Sequence, residues 1–182
     1  MPVPSSDFKK AIQRLSDKEK EAFILKAVRR DAELYDLLSF ELLEEVTYEQ
    51  VYGQSADEIR ELLLGSTGRY RGKSLTKGLR KAVKEIARFK RITKEPKGEV
   101  DLHLHLLQLI FEHFTEHFEG YYKAFYTATA RLTVRTRQLI LKNLHEDYHL
   151  EYQGPLDGFL SKLRDHNKSR GLSFELPQGL KE

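Results

Sequence analysis

The sequence predicts an all-α protein, an irregular helical bundle in which short antiparallel helices precede a long helical hairpin. Apolar residues recur at helical spacing along most of the 182-residue chain. Capping-box pairs, a hydroxyl followed three residues later by Glu or Gln, mark helix starts at Ser16, Thr47 and Ser55. Glycines such as Gly65 and Gly120 fall where helices are expected to end, because glycine adopts a left-handed backbone without steric cost.

These signals place eight helices and a further turn at 47–53. The predicted helices cover about residues 6–15, 17–30, 32–45, 56–64, 75–92, 99–119, 121–150 and 156–169. Only Val100 to Leu106 alternates apolar and polar residues, and helical spacing soon replaces this alternation, so no sheet is expected. An α-solenoid is the alternative architecture, although no repeat period with matching residues joins one helix pair to the next.

The connection from Thr93 to Gly98 contains a proline and predicts a boundary between two lobes. A short-helix lobe would occupy 1–92 and carry the acidic and basic segments. A long helical hairpin with a C-terminal helix would occupy 99–170, and 171–182 would form a tail. Because a chain of this length can bury a single core, one compact domain is the alternative.

The composition excludes several classes of function. The chain contains no cysteine, which rules out disulfides, thiolate metal sites and cysteine nucleophiles. It shows no apolar segment behind a basic start, and no stretch of about 18 uncharged residues that would span a membrane. We therefore expect a cytoplasmic protein with no membrane partner.

Charge is strongly segregated along the chain although the net charge is only +3. The acidic block, residues 31–61, has ten acidic residues and one basic residue, a net charge of −9. The basic block, residues 69–97, has twelve basic and two acidic residues, a net charge of +10. Helix 75–92 places apolar residues on one side and cations on the other. The candidate polyanion-binding residues are Arg69, Arg71, Lys73, Lys77, Arg80, Lys81, Lys84, Arg88 and Arg91.

The basic face has three interpretations. Its cations could pair with the acidic block, in the same chain or in a second copy; they could be solvated; or they could bind a polyanion such as nucleic acid. The neighbouring acidic block would repel nucleic acid and argues against the last interpretation. A protein partner or a homo-oligomer is therefore expected, with nucleic acid as the alternative partner.

Two histidine pairs have the spacing of zinc peptidase helices. His145 to His149 reads HEDYH and matches H-E-x-x-H, and His113 to His117 reads HFTEH and matches the inverted form. One helical turn would separate each pair, so both imidazoles could bind one Zn²⁺. A small zinc-dependent hydrolase is thus an alternative function, with Glu146 placed to activate water.

Other features argue against this hydrolase. Asp147 places a charge inside HEDYH, and the chain is expected to turn at Gly154 and Pro155 without a third histidine at metzincin spacing. In a hairpin that turns at Gly120, the two pairs would lie about 30 Å apart. The metal site that remains is His103, His145 and His149.

The sequence as a whole favours an interaction or scaffold module that self-associates through complementary charged faces. This interpretation rests on two observations: the chain has an acidic block next to a basic block, and it has no coherent set of catalytic residues. An enzyme is less expected than a binding protein, and no catalytic residue or cofactor is predicted.

Overall fold

The computed structural model describes residues 3–65, 71–119, 123–166 and 171–181. Within these ranges the chain is an all-α bundle, as predicted, with eight α-helices, one 3₁₀ helix and no strand. The helices are α1 (Ser6–Gln13), α2 (Asp17–Val28), α3 (Ala32–Leu42), α4 (Tyr48–Leu64), α5 (Arg71–Thr93), α6 (Pro96–His113), α7 (Ala124–Asn143) and α8 (Glu146–Asp165), and the 3₁₀ helix is Thr115–Phe118. None of the helices in these ranges is long and apolar enough to cross a membrane.

Two of the three predicted capping boxes form. Ser16 begins α2 and Thr47 begins α4, each with reciprocal hydrogen bonds to the third helical residue. Ser55 does not begin a helix, since it is buried inside α4 and its hydroxyl donates to Glu85 Oε1 at 2.9 Å. The predicted turn at 47–53 and helix at 56–64 are therefore one helix. Its buried residues recur every four positions, which makes one continuous face.

The C-terminal helices break at a different place from the one predicted. The predicted helix 121–150 is wrong, because α7 ends at Asn143 and α8 begins at Glu146. The turn expected at Gly154 and Pro155 is also wrong, because Pro155 lies inside α8. A proline inside a helix costs about 3 kcal/mol. Burial of side chains before and after Pro155 offsets this cost: His149, Tyr152, Leu156, Leu160 and Leu163.

The chain divides into two compact units, unit 1 (Met1–Val46) and unit 2 (Thr47–Glu182). Unit 1 contains α1, α2 and α3, and none of its described residues is buried. The boundary predicted at 93–98 stays a prediction, and it falls inside unit 2, between α5 and α6.

Unit 2 carries the hydrophobic core. Helix α5 packs against α4, α6 and α7, and α8 packs against α6 and α7. The largest fully buried side chains are Ile59, Leu63, Leu75, Ile86, Phe89, Ile92, Leu102, Leu106, Leu107, Ile110, Phe125 and Tyr126. Tyr126 Oη donates to Leu163 O at 2.7 Å and joins α7 to α8. This hydrogen bond satisfies a buried hydroxyl where the two helices meet.

Residues 171–181, predicted as a tail, pack on the core of unit 2. Leu180 is fully buried, and its backbone N–H donates to Asp157 Oδ1 at 2.7 Å. Arg137 Nε donates to Gly179 O at 2.8 Å. These contacts fix the end of the chain to α7 and α8.

Gly98 of α6 lies against Tyr48 of α4 and Phe89 of α5. A Cβ there would contact Tyr48 Oη and lie 2.8 Å from the Phe89 ring. We expect Gly98→Ala to lower the free energy of unfolding by about 1–3 kcal/mol, because the rings must move apart. Urea denaturation would measure this change. The matched control is Gly158→Ala in α8, where an added Cβ meets nothing within 4 Å and alanine should not destabilise.

Candidate functional site

The structure places most of the predicted polyanion-binding residues on α5. Arg69 lies outside the described residues, and Arg71 is the first residue of the helix. The exposed residues between 72 and 93 all carry a positive charge, and we call them the α5 stripe: Lys73, Lys77, Arg80, Lys81, Lys84 and Arg91. The stripe spans 19 residues, and its first and last members lie about 27 Å apart along the helix at 1.5 Å per residue. The predicted basic face is thus exposed to solvent.

The opposite side of α5 is buried in unit 2. Leu75, Leu79, Ala82, Ile86 and Phe89 are at most 4% exposed and hold the helix against its neighbours. At 100° per residue, the stripe occupies an arc of about 100° on the far side of the helix from these residues. Packing of the apolar face therefore determines which way the cations point.

Arg88 differs from the other cations of the predicted set. It is only partly exposed, and its Nε donates to Glu85 Oε2 at 3.0 Å. Glu85 also accepts from Ser55 of α4. Arg88 thus belongs to a polar link between two helices rather than to the exposed stripe. The sequence does not reveal this role, because Ser55, which binds the same Glu85, has the spacing of a helix cap.

Four members of the stripe have no polar partner in the part of the chain that the structure describes: Lys77, Arg80, Lys81 and Lys84. Within this set, residues three or four apart bring like charges next to each other on the helix surface, and Arg80 and Lys81 are adjacent in sequence. Each such pair destabilises a helix by about 0.2–0.5 kcal/mol. The bare stripe is therefore electrostatically unfavourable, and a bound anion would relieve the repulsion.

The predicted metal ligand His103 is buried in α6. Its Nδ1 donates to Glu99 O at 2.8 Å, and its Nε2 has no hydrogen-bond partner among the described residues. Burial lowers the pKa of His103 from 6.5 to about 4. The imidazole is therefore neutral at neutral pH and packs as part of the core.

The two zinc-like motifs do not lie on single helices. In HEDYH, His145 is the N-cap of α8 and accepts from Asp147 N at 3.4 Å, whereas His149 lies inside the helix and its Nε2 donates to Leu144 O at 3.2 Å. In HFTEH, α6 ends at His113 and His117 lies in the 3₁₀ helix. The helical geometry that both motifs require is thus absent.

The three predicted metal ligands are not brought together as a site. Across the described ranges, no three His, Asp or Glu side chains are grouped so that they could hold a metal ion. His103, His145 and His149 all lie in those ranges.

Helices α6 and α8 are joined by a polar cluster around Tyr152. Tyr152 Oη donates to Asp101 Oδ1 at 2.7 Å, and Lys97 Nζ lies 3.5 Å from Asp101 Oδ2. Burial raises the pKa of Tyr152 to about 12. The hydrogen bond from the phenol to the carboxylate joins the two helices, so we assign this cluster a structural role.

Unit 1 contains a surface that sequence reasoning did not single out. Helices α1 and α2 form an apolar groove of about 480 Å³, and we call it the unit 1 groove. Its lining residues are Phe8, Ala11, Ile12, Leu15, Lys20, Phe23 and Ile24. Phe8 is 56% exposed and Phe23 is 59% exposed. The helical spacing of these residues was visible in the sequence, but spacing alone does not distinguish a buried face from an exposed one.

Comparison of the chain with protein-family models, with curated proteins and with solved structures finds no match.

Proposed function

We propose that the protein is a helical interaction module that self-associates through unit 1. The observation that carries this proposal is that unit 1 buries none of its described residues and displays the apolar unit 1 groove. Contiguous apolar surface of this kind marks sites of protein association. The proposed occupant of the groove is unit 1 of a second copy.

The size of unit 1 supports the need for a partner. Below about 70–80 residues, a single hydrophobic core rarely supplies more than about 3–5 kcal/mol, and small units add a disulfide, a metal or oligomerisation. The chain has no cysteine, so a disulfide is excluded. Full burial of a Phe or Ile side chain contributes about 1.5–3 kcal/mol. Covering the half-exposed Phe8, Ile12, Phe23 and Ile24 would thus contribute several kcal/mol.

Charge supports a second copy as that partner. Residues 1–30 have eight basic and four acidic residues, a net charge of +4, and residues 31–46 have six acidic and no basic residues, a net charge of −6. A two-fold dimer would place α3 of each copy against α1 and α2 of the other, so that opposite charges meet twice. Helix α3 also exposes apolar residues for this contact, since Tyr35 is 55% exposed and Leu42 is 72% exposed.

We expect Phe23→Glu to convert a dimer into a monomer. The full chain should sediment at about twice its mass of 21.3 kDa, and the variant at 21.3 kDa, because a carboxylate in the groove would have to be buried without a partner. Sedimentation equilibrium at about 100 µM protein would measure both masses. Association should weaken between about 50 mM and 500 mM NaCl, since salt screens the charge pairing.

Leu150→Glu is the matched control. Leu150 lies on α8 in unit 2 and is 75% exposed, so this change adds the same charge to an exposed apolar position outside the groove. It should remain a dimer. A wild-type mass of 21.3 kDa at both salt concentrations would refute self-association. Equal dissociation of both variants would refute the groove as its site.

A further inference from the structure

We propose that the α5 stripe binds double-helical nucleic acid through the phosphate backbone. This surface lies in unit 2, and its binding does not depend on self-association through unit 1. Each exposed residue of α5 between 72 and 93 is Lys or Arg, which gives the helix a wholly cationic surface there.

An all-basic face differs from an ordinary solvated helix face. A solvated helix usually mixes both signs of charge, because acidic and basic residues three or four apart stabilise each other. The stripe has the opposite pattern: Lys77 and Lys81 are four residues apart, as are Arg80 and Lys84, and these four cations have no described polar partner. A row of phosphates would remove the repulsion and release its own condensed counterions.

The composition of the stripe favours a phosphate backbone over an acidic protein. Protein interfaces gain most of their binding energy from a few residues buried at their centre, among which Trp, Tyr and Arg predominate. Between 72 and 93 the structure exposes no apolar or aromatic side chain, because these residues face the core. Phosphate contacts require only cations and hydrogen-bond donors, and the Lys and Arg side chains of the stripe are both.

The shape of the stripe favours a duplex over a single strand. Proteins that bind single strands stack bases on aromatic side chains, and the exposed part of α5 between 72 and 93 has none. The cations follow α5 for about 27 Å, which is close to one duplex turn of about 34 Å. A duplex presents about one negative charge per 1.7 Å along its axis, counted over both strands, so a stripe of this length lies beside several phosphates.

Binding should be independent of base sequence. Sequence is read by Asn, Gln and Arg side chains on an element that enters the major groove. Between 72 and 93 the exposed side chains of α5 are all Lys or Arg, and none is the Asn or Gln that reads adenine. The stripe would therefore lie along the backbone, with the sequence-independent affinity that such contacts give.

Fluorescence anisotropy of the full chain with a labelled duplex of about 24 base pairs tests this binding. DNA and RNA duplexes serve as separate arms, because both present phosphate rows. We expect a dissociation constant in the micromolar range at about 50 mM NaCl. Four phosphate contacts would give a slope of about −3.6 in log affinity against log salt on DNA, at about −0.9 for each contact.

Charge reversal within the stripe gives the sharpest comparison. Lys77→Glu/Lys81→Glu should lower affinity at least tenfold and reduce the salt slope by about 2. The matched control is Arg135→Glu/Lys142→Glu, which changes the net charge equally at two exposed positions of α7. The control should bind within about threefold of wild type. Circular dichroism would confirm that both variants keep the helical content of the wild type.

Four outcomes would overturn the proposal. Absence of an anisotropy change at about 100 µM protein and 50 mM NaCl would exclude binding. Equal loss of affinity in both double variants would show that net charge alone attracts the duplex. Tighter binding of labelled polyglutamate than of duplex would assign the stripe to an acidic protein instead. Tighter binding of a single strand of equal phosphate number would exclude the duplex as its ligand.

Discussion

Leu180→Ala is expected to lower the free energy of unfolding by about 2–5 kcal/mol, although it lies two residues from the end of the sequence. Leu180 is fully buried in a cluster that also contains Val100, Ile140, Leu156 and Leu160. The cluster draws on α6, α7 and α8. Truncation to alanine would leave a cavity where these three helices meet the end of the chain.

The contacts around Leu180 prevent easy relaxation of that cavity. Gly179 fits closely, since an added Cβ would lie 2.9 Å from Asp157 Oδ1. Arg164 Nη1 donates to the carbonyls of Pro177 and Gln178, at 2.6 Å each. Because these hydrogen bonds hold the backbone in place, the segment cannot move inward to fill the space, and the loss should fall in the upper part of the expected range.

Urea denaturation followed by circular dichroism would measure this loss. Leu150→Ala is the matched control, because Leu150 is 75% exposed and the same truncation there should change stability by less than about 0.5 kcal/mol. Equal, small effects of the two substitutions would show that residues 171–181 do not pack on unit 2 in solution.

Acidification from pH 7.5 to about pH 4 is expected to destabilise unit 2 through His103. The folded-state pKa of His103 is about 4, below the ordinary value of 6.5, because burial penalises the charged imidazole. Between about pH 4 and pH 6.5 the unfolded chain binds a proton at His103 that the folded chain does not. Stability is therefore complete above about pH 6.5 and falls as the pH drops towards 4. The full shift corresponds to a loss on the order of 3 kcal/mol.

Urea midpoints at pH 7.5 and pH 5 would measure this dependence. His103→Leu should lose less stability on acidification than wild type, by about 2 kcal/mol at pH 5, because leucine fills the buried position without titrating. His145→Asn serves as the control, since it replaces an exposed histidine with another residue that caps helices well. An unchanged pH dependence in His103→Leu would show that this imidazole does not carry the effect. Burial also lowers the pKa of His105 on the same helix, so some acid sensitivity should remain in the variant.

The two proposed surfaces differ in chemistry and are separable by experiment. The unit 1 groove is apolar and would bind a second copy, whereas the α5 stripe is wholly cationic and would bind phosphate. A dimer would also present two stripes, which would raise affinity for a long duplex through effective concentration. Phe23→Glu should therefore weaken binding to a long duplex while a duplex of about 24 base pairs is bound as before.

Local signals in the sequence predicted the fold class and several element boundaries. The capping box at Ser16 begins the helix that it predicted, and the one at Thr47 begins α4, where the sequence predicted only a turn at 47–53. The apolar spacing from Leu75 to Phe89 predicted the face of α5 that is buried. These signals succeed because hydrogen bonds at helix ends, and the 3.6-residue period, involve only residues within a turn or two.

Positions that depend on distant neighbours were predicted wrongly or missed. Ser55 has the sequence of a helix cap, yet its hydroxyl bonds to Glu85, thirty residues away. Pro155 was expected to end a helix, and it lies inside α8. The histidine motifs have the spacing of zinc ligands, but His145 caps one helix while His103 is buried in another. Residues far away in the sequence determine the bond of Ser55 and the burial of His103. The cap at His145 is instead a local contact with Asp147 N, which the H-E-x-x-H spacing does not reveal.

Three properties follow from the amino-acid sequence alone: the helical fold class, the lack of cysteine chemistry, and the division of charge into an acidic and a basic block. Three others depend on tertiary packing: the exposure of the basic face on α5, the open apolar groove of unit 1, and the burial of Leu180. Helix formation follows from interactions along a few residues, whereas exposure depends on which helices cover a face.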